Sequence, residues 1–168
     1  MQLLTMTLLP FAGSLLLSML PREARNPSAW LAGAVTLLAL ALLGMQAPAA
    51  FQGEVQRFSM AWLPSLGVDF GLRLDGLAFL FSLLILGIGA LIVLYARYYL
   101  SPEDSMPRFY AMLLLFMGAM LGVVTAGNLV LLVVFWVLTS LSSFLLIGFW
   151  KHRQDARRGA RMALTITG

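Results

Sequence analysis

Phe109 to Trp150 reads FYAMLLLFMGAMLGVVTAGNLVLLVVFWVLTSLSSFLLIGFW, 42 residues without a single Asp, Glu, Lys, Arg or His. An α-helix rises 1.5 Å per residue and needs about 20 apolar residues to cross roughly 30 Å of hydrocarbon. The run is about twice that length, and Gly127-Asn128 supplies a turn signal near its middle. It therefore reads as two membrane spans, near 108–126 and 128–150.

Working outward, charged residues punctuate the rest of the chain. Gly76–Ala96 is uncharged between Asp75 and Arg97, Asn26–Gly53 between Arg25 and Glu54, and Met1–Pro21 up to Arg22. Three further spans follow, near 2–20, 28–49 and 74–99. The first is not read as a secretory signal, because no basic residue precedes Arg22. It reads as a retained helix with Pro10 mid-span, which membrane helices tolerate. The expected fold class is all-α integral membrane, with five transmembrane helices plus the start of a sixth. Residues 1–50 hold two spans, and 51–73 form an outer loop that a short hairpin fits, given the alternation in Val68-Asp69-Phe70. Residues 74–150 hold three more spans, 151–161 form a basic cytoplasmic loop, and 162–168 open a sixth helix. That last apolar run stops too soon to span, so the sequence is expected to be a fragment of a longer protein.

Composition agrees. Of the 168 residues, 61% are hydrophobic and 11% charged, where soluble domains hold roughly 45–50% and about 25%. A water-soluble fold of this size could not hide that much apolar surface, which excludes a soluble enzyme. With no cysteine, disulfides, zinc–thiolate sites and iron–sulfur clusters are excluded for this chain alone, and no cofactor is expected. No His/Asp/Glu cluster has metal-ligand spacing, and no phosphate loop, nucleophile elbow or carboxylate dyad occurs. The net charge of +4 does not indicate nucleic acid, because the cations sit in short breaks between apolar runs. Nine of the eleven Lys and Arg residues fall on one side of the deduced topology, leaving Arg57 and Arg73 on the other. By the positive-inside rule the N-terminus faces outside, and 151–161 the cytoplasm, in a multi-pass inner-membrane protein.

The stretch from Phe70 to Leu77 (FGLRLDGL), then Tyr98-Tyr99-Leu100, Arg108-Phe109-Tyr110, Leu113–Val124 and Phe135–Trp150, resembles in order and spacing the N-terminal part of the large A subunit of Mrp-type multisubunit Na⁺/H⁺ antiporters. It is similar, more distantly, to the L-type proton-pumping subunit of respiratory complex I. The resemblance runs from about residue 66 to the end; residues 1–65 agree only in pattern. It implies a secondary transporter component rather than an enzyme, moving Na⁺ and H⁺ in a complex with other small membrane subunits and lipid. It also implies a buried Glu directly after a Trp in the fifth helix, where this chain has Trp136-Val137. The family's lysines lie in later helices, beyond Gly168. Val137 cannot exchange a proton, so the segment alone is not expected to transport.

Each transport candidate has an ordinary reading beside the functional one. Asp75 is an outer entrance acid, or a helix-start acid paired with Arg73. Thr139, Ser140, Ser142 and Ser143 make the fifth helix locally polar, with Trp136, Ser140 and Ser143 on one face by i, i+4, i+7 spacing. They either hold water in a half-channel or serve packing and back-bonding, and the second is preferred. His152 is a proton relay, or a solvated histidine among cations. Arg157, Arg158 and Arg161 suit orientation and anionic headgroups. Two rival functions stand beside antiport: a component of a redox-driven pump or membrane-bound hydrogenase, and a non-transporting scaffold that has lost its acid.

Overall fold

The computed structural model describes residues 1–63, 68–149 and 161–166. Five helices carry the mass of the chain: α1 (Gln2–Ser18), α2 (Arg25–Gly44), α4 (Gly76–Tyr99), α5 (Met106–Thr125) and α6 (Leu129–Ile147), with a short α3 (Ala47–Phe51) after α2. Strands β1 (Gln56–Leu63) and β2 (Val68–Leu74) pair antiparallel, so the chain is mostly helical rather than wholly so. Residues 161–166 are helical again.

Four of these helices, α2, α4, α5 and α6, are long and apolar enough to cross a membrane, at 19 to 24 residues each. The expected count of five complete spans is not reached on length. With 17 residues, α1 extends roughly 26 Å at 1.5 Å per residue, short of the hydrocarbon core. The second helix also ends earlier than near 49, closing at Gly44. Pro48 has no N–H to give the Gly44 carbonyl, so the helix breaks at Met45-Gln46 and restarts as α3 with Pro48 in its first turn. The absence of charge does not mark this break; Gly44 and Pro48 do.

The centre of the bundle is α5, which packs against α1, α2, α4 and α6. Its glycines explain how. An ideal Cβ on Gly122 would lie 2.3 Å from the Phe135 ring of α6, and one on Gly118 would lie 2.9 Å from Phe11 of α1. The two rings also meet each other, with centroids 6.2 Å apart. The G-x-x-x-G spacing thus provides adjacent seats on one backbone for rings from two flanking helices, the close approach that small residues permit in lipid. A hydroxyl adds a polar tie: Ser14 Oγ donates to the Ala111 carbonyl at 2.6 Å.

Both ends of the bundle are fastened by hydrogen bonds. At the hairpin end, Leu72 of β2 forms an antiparallel bridge with Ala126. The Gly127 N–H donates to the Gly71 carbonyl at 2.8 Å, and a Cβ at Gly127 would meet Gly71 backbone at 2.9 Å. Only glycine fits that approach. At the opposite end, the Arg25 guanidinium donates to the carbonyls of Leu100 (3.0 Å), Ser101 (2.7 Å) and Asp104 (3.3 Å). Those groups follow the C-terminus of α4, where free carbonyls need partners and positive charge is favoured.

Candidate functional site

The hydroxyl-bearing face of α6 is the polar stretch that sequence reading singles out inside the membrane. Thr139 Oγ1 donates to the Phe135 carbonyl at 2.8 Å, Ser142 Oγ to Leu138 at 2.9 Å, and Ser140 Oγ to Trp136 at 3.4 Å. These are bonds to the preceding turn, which satisfy a hydroxyl without a partner helix. Ser140 and Ser142 are buried while Ser143 is half-buried. Trp136 and Val137 lie 53% and 52% exposed, so Trp136 does not share the buried side with Ser140. Four residues turn a helix by about 40° beyond a full revolution, enough to straddle the edge of the α5 contact. Val137 therefore stands on the open side of α6, the least covered of the four long helices.

Asp75 caps α4. One carboxylate oxygen accepts the Ala78 N–H at 2.8 Å, and the other meets Arg73 at 3.1 Å, with the two side chains 32% and 49% exposed respectively. Both oxygens thus have structural partners, while Arg73, Asp75, Leu77 and Val124 line a cleft of 260 Å³ at the same end. His152, Arg157 and Arg158 lie outside the described residues; Arg161 is exposed.

Sequence reasoning takes Asn128 only as part of a turn. Its Oδ1 accepts the Leu131 N–H at 2.8 Å, capping α6, and its Nδ2 donates to the Asp69 carbonyl at 2.6 Å. The start of α6 is thereby latched to the hairpin. Arg25, an orientation charge in the sequence, is in the fold a three-carbonyl clamp. Asn before an apolar run is a recognisable cap signal; nothing local reveals the contacts to residues far away in sequence. Among the described residues, two buried polar atoms, Gln46 Oε1 and Ser82 Oγ, have no hydrogen-bond partner.

From Phe109 to Phe149 the sole ionisable group is Tyr110, whose hydroxyl donates to the Val93 carbonyl at 2.9 Å. No group of three or more His, Cys, Asp or Glu capable of holding a metal occurs among the described residues. Among the described residues the helices pack around α5, and α6 presents an open face at Val137.

Residues 62–110 match the family model described as NADH-ubiquinone oxidoreductase (complex I), chain 5 N-terminus. Over 161 residues, 96% of its length, the chain is 54% identical to a protein of Rhizobium meliloti (strain 1021) named as a probable K⁺/H⁺ antiporter A/B subunit. The chain is a homologue of antiporter A subunits. It is also 54% identical over 115 residues, 68% of its length, to the A1 subunit of a Na⁺/H⁺ antiporter from Staphylococcus aureus (strain JH9). The chain spans only 16% and 14% of the lengths of these relatives. Among solved structures it is similar to a chain of the Mrp complex from Dietzia sp. DQ12-45-1b, with a TM-score of 0.73 and 30% identity. That match covers 99% of this chain and 18% of the other. The resemblance to Mrp and complex I subunits is thus met at the level of sequence family and of fold. The antiporter relatives and four helices long and apolar enough to cross a membrane support a multi-pass membrane protein.

Proposed function

We propose that this chain forms part of the large A-type subunit of a multisubunit monovalent cation/proton antiporter, contributing the supporting helices beside an ion path completed elsewhere. The 54% identity across nearly the whole chain to a relative named as a component of a K⁺/H⁺ antiporter carries this reading. Na⁺ or K⁺ exchanges for H⁺, other small membrane subunits are its partners, and the protein sits in the cytoplasmic membrane. The hairpin end faces outward and the opposite end inward. That orientation is supported by Arg22, Arg25, Arg97 and Arg108, which gather at the end away from the hairpin, against only Arg57 and Arg73 beside it.

The transport candidates take graded roles. Val137 occupies the position where the antiporter resemblance expects a glutamate. Its open side of α6 is the surface on which further helices of the full-length protein would pack. Thr139, Ser140 and Ser143 shape that face, Asp75 holds the start of α4, and His152 lies in the basic segment after α6. The experiment is cation-driven proton flux in inverted vesicles from an antiporter-deficient strain carrying the full-length complex, with and without Val137→Glu. Flux rising at least tenfold with Glu is expected; no flux from either form sinks the antiport reading. The absence of an acid on α6 favours a second reading, a non-transporting scaffold. Val137→Glu leaving a correctly assembled complex without flux would support it.

A further inference from the structure

At the end of the bundle opposite the hairpin stand four described arginines that differ in what they touch. Arg25 is consumed by three carbonyls, and the Arg97 guanidinium lies over the Trp30 ring, 5.4 Å from its centroid. Arg22 and Arg108 are exposed and form no hydrogen bond or ion pair among the described residues. Both line the same cleft, a volume of 510 Å³ between the end of α1 and the beginning of α5. Its remaining walls are mostly apolar, including Leu20, Met112 and Leu115, with three serines, Ser14, Ser18 and Ser105, among them.

Two unpaired guanidinium groups above an apolar wall at the end of membrane helices form an amphipathic site. Like charges facing one cleft repel unless an anion lies between them, and guanidinium presents paired N–H donors that match phosphate oxygens. We propose that this cleft binds an anionic phospholipid, its phosphate between Arg22 and Arg108 and an acyl chain along Leu20, Met112 and Leu115. A soluble anion would leave the apolar wall exposed, whereas a lipid satisfies both halves. The chain segment that follows α6 is the wrong sign to fill it, since residues 151–161 carry five cations and one carboxylate. The lipid site depends on membrane placement, not on antiport.

The test is native mass spectrometry of the assembled membrane complex containing this chain, purified in detergent and offered phosphatidylglycerol or phosphatidylcholine at equal concentration. Preferential retention of phosphatidylglycerol is expected. Arg22→Gln or Arg108→Gln should each lower its occupancy about five-fold, the factor for one interfacial cation, with both Lys substitutions retaining most of it. Unchanged retention in the double Gln variant overturns the site. So does full displacement by millimolar inorganic phosphate, which would mark a free-anion pocket. Should the Gln variants fail to assemble, a photoreactive benzophenone residue in place of Leu115, with both arginines intact, still decides. Labelled lipid supports the proposal, and labelled polypeptide overturns it. The lipid count is read whether or not the complex exchanges cations, so its failure leaves the antiport reading standing.

Discussion

Replacing Asn128 separates two duties that one side chain performs. Its Oδ1 caps α6 through Leu131 at 2.8 Å, and its Nδ2 reaches the Asp69 carbonyl of the hairpin at 2.6 Å. Losing an Asn cap to Ala costs about 1 kcal/mol, and a hydrogen bond of this kind contributes about 1 kcal/mol net. Asn128→Ala should therefore destabilise the protein by about 2 kcal/mol. Asn128→Ser keeps a capping oxygen but lacks the reach and donor for Asp69, so it should lose only about half of that. The measurement is the free energy of unfolding by a denaturing detergent, paired with hydrogen exchange at the Gly127 amide, which donates to Gly71. If opening of the latch controls that amide, its protection falls by up to about thirty-fold in the Ala variant. Equal damage from Ser and Ala would refute the division of labour. Unchanged Gly127 exchange in both would show that the side chain does not hold the turn against the strand.

Gly122→Ala should destabilise by about 1–3 kcal/mol, because the new methyl enters the Phe135 ring and the contact is overpacked. Combining it with Phe135→Leu should cost less than the sum of the two single changes, and strict additivity in a double-mutant cycle would count against this packing. Arg25→Ala should expose residues 100–105 to proteolysis, raising the cleavage rate about ten-fold, as expected for losing roughly 1.5 kcal/mol of carbonyl contacts. Arg25→Lys should rescue only partly, since one ammonium cannot span three carbonyls as a planar fork can; a full rescue would show that charge alone matters.

The helical plan is legible in the sequence because charge marks where lipid stops. Asp75, Arg97 and Arg108 lie within three residues of helix ends at Gly76, Tyr99 and Met106. Where no charge intervenes the reading slips: Asn26–Gly53 suggests one helix too long, because Pro48 breaks it by geometry rather than by polarity. Back-bonding of Thr139 and Ser142 is legible too, since it depends only on i−4 spacing along the same helix. Which side of α6 is open is not, because burial depends on where Phe135 meets Gly122. Arg25 and Arg22 look alike in sequence, and only the arrangement of distant carbonyls makes one a clamp and leaves the other free. The Trp136-Val137 pair is visible in the letters, but that it faces the open side of α6 is not.

The latch also sets an order of events during synthesis. Asp69 and Asn128 are separated by 59 residues, so at roughly 5–20 residues per second the turn trails the strand by roughly 3 to 12 seconds. Through that interval the far edge of β2 has no backbone neighbour, and two membrane crossings must be completed before it gains one. A nascent chain arrested just after α4 should thus display a raw strand edge to chaperones. One arrested after α6 should have closed it.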